Sequence, residues 1–482
     1  MAFNSLPFLG FLAIVYGLFR VAPGSSRVWL LLIASLGFFA WASPASAGLL
    51  VACSLLSYYG ALQLDRLSEH PERQQRLLIA LVAIQVAILV VCKYSPLRTL
   101  ASALGRFATT GHWNLMEVAL PLGCSFFLFQ GIGYLVDTAW GRPAECSLPS
   151  FLLFMGFFPK VLMGPIERGG SMLPQIEELS KANFCYDELR IAVLQFAWGL
   201  FKKVVIADRL ALYVTEVYDR PGAYGGVVVL AAMFFYPLQL LADFSGYSDM
   251  AIGCARLFHI RITQNFEAPY GAPNIQEFWR RWHVSFSSWV AAFVFTPLRM
   301  EWRRLKNAGM VLSVYVTFIL VGVWHGFDVN YLIFWLLHAS YIAFSSLTLK
   351  ARDSFWERRG LLHKPWFHAL RVLATFTLVT VSFVFFRSAS PQAAIHLLAQ
   401  IPHWQGLQIG IHDGLAGPEL FIAFLALIVW WSGESMFHHS ERLQALLLKP
   451  LTVRWGVYFG LLFLILCFGL FRKPSDFIYF RF

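Results

Sequence analysis

Long apolar runs follow one another along almost the whole chain, at about 6–22, 28–42, 47–64, 76–95, 116–139, 148–165, 188–207, 223–242, 309–326, 330–349, 366–386, 416–432 and 455–471. A helix needs about 20 apolar residues to cross a bilayer, and most of these runs reach or approach that length. A further stretch, 275–298, is apolar but interrupted by charge. The pattern predicts an all-α polytopic membrane protein with roughly eleven to fourteen transmembrane or re-entrant helices. No internal repeat or low-complexity tract divides it, so 1–482 reads as one integral-membrane domain, its polar motifs gathered at about 155–345.

Composition agrees. Of 482 residues, 58% are hydrophobic and 13% charged, where soluble proteins carry about 25% charge. The net charge of +11 would suggest nucleic acid in a soluble protein. Here Lys and Arg sit in short loops between apolar runs and read as topology signals. Arg299, Arg303, Arg304 and Lys306 form one such loop, and Lys350, Arg352, Arg358, Arg359 and Lys364 another. By the positive-inside rule both are cytoplasmic, so 309–326 and 330–349 form a hairpin whose bend points away from the cytoplasm. Trp324-His325-Gly326 lies at that bend, roughly 24 Å along a straight helix from Gly309. Arg20, Arg27, Arg66, Arg73 and Arg76 also suit the cytoplasm, whereas Lys93, Arg98 and Arg106 fall on the other side unless an early segment is re-entrant. The stretch 387–415 reads as an outer loop or short amphipathic helix, and the terminal FIYFRF as an interfacial aromatic cluster. The seven cysteines form no Cys-x-x-Cys pair and read as small hydrophobes. The N-terminus has no basic residue ahead of its apolar run, which argues against a cleaved signal peptide.

No Walker loop, dinucleotide fingerprint, His-Glu-x-x-His or Gly-x-Ser-x-Gly elbow occurs. Polar chemistry is confined to four islands. FFPKVLMGPIERGG, with Lys160, Glu167 and Arg168, is either an interfacial loop or a cavity wall in which Arg168 offers positive charge. Asp243 and Asp249, six residues apart, do not share a helical face, so a structural role outweighs a paired acid/base site. Asn274 and Glu277 make a capping-box-like helix start. On the helix that follows, Trp279, Trp282, His283 and Phe286 fall on one face, with Arg280 and Arg281 at the sides. That face suits either an interfacial anchor or a site for an acyl or nucleotide-like ligand. The fourth island is His325. An ionisable group so deep in an apolar run is costly, and a second His, the nearby Trp residues and the bend favour function over a buried structural role. His338 does not share the face of His325, and its role stays open.

PKVLMGPIER, LADFSGYSDMAIGCARLF, NFEAPYGAPNIQEFWRRWHVSFSSW, VGVWHG and the terminal FIYFRF resemble the membrane-bound O-acyltransferases, closest to the bacterial branch of alginate O-acetylation and teichoic acid D-alanyl transfer proteins. The resemblance covers roughly 155–345 and the tail. It implies a ring of membrane helices around a central tunnel, with His325 as the catalytic base and His283 as a second catalytic histidine that positions donor or acceptor or stabilises developing charge. It further implies transfer of an acyl group, most simply acetyl, from a cytosolic thioester such as acetyl-CoA to a hydroxyl on the outer side. The acceptor would be an exported polysaccharide such as alginate or cellulose, reached with periplasmic partner proteins in the bacterial inner membrane. No bound cofactor or metal is expected. Trp279, Arg280, Arg281, Trp282, Trp324, Arg168, Asp243 and Asn265 are the candidate donor- or substrate-binding residues. Where relatives carry Trp-Phe-Arg-Asp-Tyr, this chain has Trp289-Val-Ala-Ala-Phe293, a departure that bears on partner recognition or loop docking. Two other readings stand beside this one: D-alanyl transfer to teichoic acid from a carrier-protein thioester, and a non-catalytic membrane conduit.

Overall fold

The computed structural model describes residues 2–94, 123–326, 328–404, 409, 417–438 and 440–471, and every structural statement below concerns these. The terminal FIYFRF, Arg98 and Arg106 lie outside them.

The described chain is helical, with no strand beyond one isolated bridge. Among the described residues nine helices are long and apolar enough to span a membrane, and Leu6–Val21 is a shorter apolar one. Several expected spans are instead short or interrupted. The run 148–165 is a helix only over Leu148–Gly156, with Pro159 shortly after its end and Gly164 and Pro165 interrupting the rest of the run. Helix starts follow a local rule: Ser5, Ser43, Ser147 and Ser390 each cap a helix with a Pro at its first or second position. The hydroxyl accepts an orphan N–H, and the ring imposes helical φ where no N–H is needed.

Two compact units emerge, residues 1–193 with 251–263, and residues 194–250 with 264–482. The first holds helices α1 (Leu6–Val21), α2 (Arg27–Ala42), α3 (Pro44–Arg66), α4 (Pro71–Tyr94), α5 (Cys124–Ala139), α6 (Leu148–Gly156) and α7 (Gly169–Glu177). Its core is aromatic: Phe8, Phe38, Phe158 and Phe258 are all buried, and Phe158 meets Phe8, Phe38 and Phe258 with ring centroids within 6.4 Å. The charged island at 157–168 is folded into this core. Lys160 donates to Gln130 Oε1 at 2.5 Å, Glu167 accepts from the Thr263 N–H, and Arg168 grips Asp137 at 2.9 and 3.1 Å. These charges lock a loop, and the guanidinium of Arg168 is engaged by a carboxylate of its own unit.

The second unit begins within α8 (Tyr186–Phe201), continues through a π-helical turn at Lys202–Ala207 into α9 (Asp208–Asp219), and then takes α10 (Gly226–Leu257) as far as Met250. At Gly199 and Gly246 two backbones nearly touch: a Cβ on Gly199 would stand 2.4 Å from the Gly246 carbonyl oxygen. Small residues permit this approach between apolar helices. It carries Lys202 onto Asp249, and Lys203 onto Asp243 at 2.7 Å and Asp208 at 2.9 Å, all fully buried. Asp243 and Asp249 thus do share a structural task despite their six-residue spacing, because each has its own lysine. Removing one partner of a buried pair leaves an uncompensated charge. Lys203→Met is expected to destabilise the protein by about 3–5 kcal/mol, read as a lower midpoint of heat-induced loss of the folded peak in detergent. Adding Asp208→Asn and Asp243→Asn should recover most of the loss.

The same unit holds α11 (Ile275–Arg281), α12 (Val284–Val290), α13 (Thr296–Glu301), α14 (Lys306–His325), α15 (Val329–Arg358), α16 (Pro365–Arg387), α17 (Pro391–Ala399), α18 (Gly417–His438), α19 (Ser440–Leu447) and α20 (Leu451–Phe468). The expected hairpin is present as α14 and α15, two unbroken helices turning at Gly326. Gly326 has φ +158° and ψ 166°, a region open essentially to glycine alone. Along the hairpin, Gly322 lets the Trp335 ring lie against α14: a Cβ there would be 2.9 Å from Trp335 Cδ1.

Candidate active site

The site is built from α11, α12 and the hairpin. Asn274 caps α11 as its sequence implies, accepting from the Glu277 N–H at 2.9 Å. The helix then ends after seven residues. The expectation of one helical face carrying Trp279, Trp282, His283 and Phe286 is therefore wrong. The chain breaks at His283, which adopts φ +47° and ψ 57° before α12 begins. A left-handed conformation is strained for a residue with a side chain and persists only where the surroundings impose it. Asn265 does so here. Its carbonyl accepts from the Val284 N–H at 2.8 Å and its Oδ1 from the Ser285 N–H at 3.1 Å. Phe266 bridges to Trp282, and the Glu267 N–H bonds the Arg281 carbonyl at 3.0 Å. Asn265 thus positions backbone through its carbonyl and Oδ1, while its buried Nδ2 makes no hydrogen bond among the described residues.

The break turns His283 inward. Its side chain is 1% exposed and lies 4.8 Å from the Phe244 ring and 5.2 Å from Phe286, centroid to centroid. Phe286 stacks on Trp324 at 4.9 Å, and Trp324 lies 4.4 Å from His325. His325, 6% exposed, stacks on Trp335 at 5.0 Å and 28°. Trp335 stacks in turn on Trp279 at 5.4 Å, and Trp279 meets His338 at 5.2 Å. Three histidines, distant in sequence, are strung along one aromatic stack.

The remaining predicted residues divide. Trp279 and Trp324 are in the stack. Trp282 packs behind it on Phe266 and Phe383. Arg280 and Arg281 both bond Glu277, and the Arg280 side chain is 75% exposed. Asp243 is taken up by Lys203, while the next residue, Phe244, faces His283. Arg168 belongs to the other unit. Sequence reasoning missed Trp335 as part of the stack. The signal for Trp335 was present, since Trp335 and His338 stand three residues apart on one face of α15. Trp335 carries one further feature: its indole Nε1–H is buried and has no hydrogen-bond acceptor among the described residues. A buried donor without a partner is costly, which leaves this N–H available to an acceptor that enters the site.

Comparison with known proteins fits this geometry. A sequence model of the MBOAT, membrane-bound O-acyltransferase, family matches residues 141–384, a stretch containing all three histidines. The chain is also 32% identical over 399 residues to a probable alginate O-acetylase of Pseudomonas syringae pv. tomato, covering 82% of this chain and 74% of that one. This protein belongs to the membrane-bound O-acyltransferase family. It is also 28% identical over 439 residues to a peptidoglycan O-acetyltransferase of Helicobacter pylori, with 85% of this chain and 79% of the other covered. A teichoic acid D-alanyltransferase of Streptococcus thermophilus is 28% identical over 280 residues, 55% of this chain and 68% of its own. The protein is thus a multi-pass membrane O-acyltransferase, and the conduit reading gives way to an enzyme.

Proposed function

We propose that this O-acyltransferase moves an acetyl group from a thioester, acetyl-CoA, to a hydroxyl of an exported polysaccharide across the bacterial cytoplasmic membrane, with separate proteins on the outer side handling the acceptor. The carrying observation is coverage. The acetylase-named relatives align over 85% and 82% of this chain, against 55% for the D-alanyltransferase.

The aromatic stack supports a simple mechanism. His325 removes the proton of the acceptor hydroxyl as its oxygen attacks the thioester carbonyl carbon. The carbonyl oxygen gains charge and accepts a hydrogen bond from Trp335 Nε1–H, the unpartnered donor beside the His325 ring. The C–S bond then breaks, the ester remains on the acceptor, and the imidazolium returns its proton to the departing thiolate. The surrounding rings exclude water, which limits hydrolysis of the thioester. His283 is fixed by its strained backbone and supports the Phe286–Trp324 edge of the stack.

The test is transfer in reconstituted membranes. Protein in lipid nanodiscs is given radiolabelled acetyl-CoA with alginate, cellulose or peptidoglycan fragments, and in parallel a D-alanyl carrier-protein thioester with teichoic acid. Label released from polysaccharide by mild base is the expected result. Consumption of the carrier thioester with acetyl-CoA untouched would overturn the acetyl reading in favour of D-alanyl transfer.

A further inference from the structure

Three residues past Trp335 on α15, His338 is wholly buried, and both ring nitrogens are engaged. Trp279 Nε1 lies 3.1 Å from His338 Nδ1. An indole nitrogen can only donate, so Nδ1 must be the unprotonated acceptor. The proton of the neutral ring is then on Nε2, which donates to Ser382 Oγ at 2.8 Å. That hydroxyl passes its own hydrogen on to the Val379 carbonyl at 2.8 Å. Every donor in the sequence Trp279, His338, Ser382, Val379 has one acceptor, and the direction of each bond follows from the first. The arrangement ties α11, which carries Trp279, to α15 and α16. Trp279 in turn stacks on Trp335, and Trp335 on His325.

We propose that His338 is a positioning residue, a neutral imidazole of fixed Nε2–H tautomer that clamps Trp279 and thereby sets the Trp335 plane against which His325 works. The proposal rests on the reading of His325 as the base. A cation at His338 would require a proton on Nδ1 and would break the Trp279 bond, so this histidine is no part of the proton path. Its contribution is geometric. Displacing the ring plane shifts both the His325 imidazole and the Trp335 N–H relative to the thioester carbon, and a misplacement of about 1 Å lowers turnover by up to about 100-fold.

Side chains that reproduce one nitrogen at a time separate clamping from filling. In His338→Asn the amide oxygen takes the place of Nδ1 and still accepts from Trp279. In His338→Gln the amide nitrogen takes the place of Nε2 and still reaches Ser382, leaving the Trp279 N–H without its acceptor. His338→Phe fills the space and bonds neither. With purified full-length protein, labelled acetyl-CoA and the acceptor, the Asn variant should keep kcat near wild type. The Gln and Phe variants should lose up to about 100-fold in kcat with KM for acetyl-CoA unchanged. Trp279→Phe should match the Gln variant, and the two together should cost no more than either alone, since both remove one bond. Full kcat in the Gln or Phe variant, a loss in Asn as large as in Gln, or additive losses would overturn the proposal. Nitrogen magnetic resonance of histidine-labelled protein, with the His338 signal identified by its loss in the Asn variant, supplies a readout independent of activity. A neutral Nε2–H ring is expected, and an Nδ1–H or doubly protonated ring would overturn the assignment. Should His325→Ala leave transfer intact, the base assignment fails while the His338 tautomer remains readable. Should His325→Ala abolish transfer while the Gln variant turns over normally, only the clamp fails.

Discussion

If His325 is the base proposed above, acyl transfer by His325→Ala should fall about 10²- to 10⁴-fold, the range lost when a positioned general base is removed, while donor binding should be retained. Place matters here as well as residue type. His325 closes α14 at the hairpin bend, nearly dry, between the Trp324 edge and the Trp335 face. The replacement alanine is a good helix former and leaves Gly326 to turn the chain, so the fold should survive. The measurement is ester formation on the acceptor in nanodiscs, with retention on an acetyl-CoA analogue as the binding control. His325→Gln keeps a hydrogen-bonding side chain but has no basic nitrogen, and it should fall with alanine. Full activity in either variant would remove the imidazole from the mechanism and leave the buried histidine a packing residue.

Trp335→Phe should lower kcat about 10²- to 10³-fold, the cost of removing one oxyanion donor, with little change in KM for the donor. The exchange keeps an aromatic ring beneath His325 and above Trp279 and deletes the indole N–H. That N–H is the reason for the prediction, because it is buried beside the proposed base and has no acceptor of its own among the described residues. If the donor served only the folded state, phenylalanine would relieve an unsatisfied group and raise stability without harming turnover. A pairing of rate and stability therefore decides: a slower, equally stable or more stable enzyme supports a transition-state role. An unimpaired one assigns Trp335 to packing. Trp335→Ala would be uninformative on this point, since it also removes the plate that Trp279 and His325 share.

The centre of the site is legible in the sequence. Trp324-His325-Gly326 stands at the end of an apolar run, and basic loops on either side define its hairpin. The Asn274 cap is also readable, because capping is local. The face assigned to Trp279, Trp282, His283 and Phe286 fails because helical periodicity assumes an unbroken helix. The break at His283 is made by the segment at 265–267, whose Asn265 and Glu267 bonds no spacing rule anticipates. The pairing of Asp243 is hidden from spacing rules for a similar reason. Its partner Lys203 lies forty residues earlier, brought close by the crossing at Gly199 and Gly246.

Sequence alone determined that this chain lives in a membrane and where its hairpin bends, and it marked His325 and His283 as the residues to test. Hydropathy, loop charge and capping act over a few residues or one helix length, so they are written in local order. Tertiary structure decided that His283 turns inward on strained backbone, that Lys202 and Lys203 neutralise Asp249 and Asp243, and that Trp335 and His338 complete one stack with His325. Those outcomes depend on which helices cross and how closely their backbones approach, and on the bonds that a buried donor or acceptor is forced to find there.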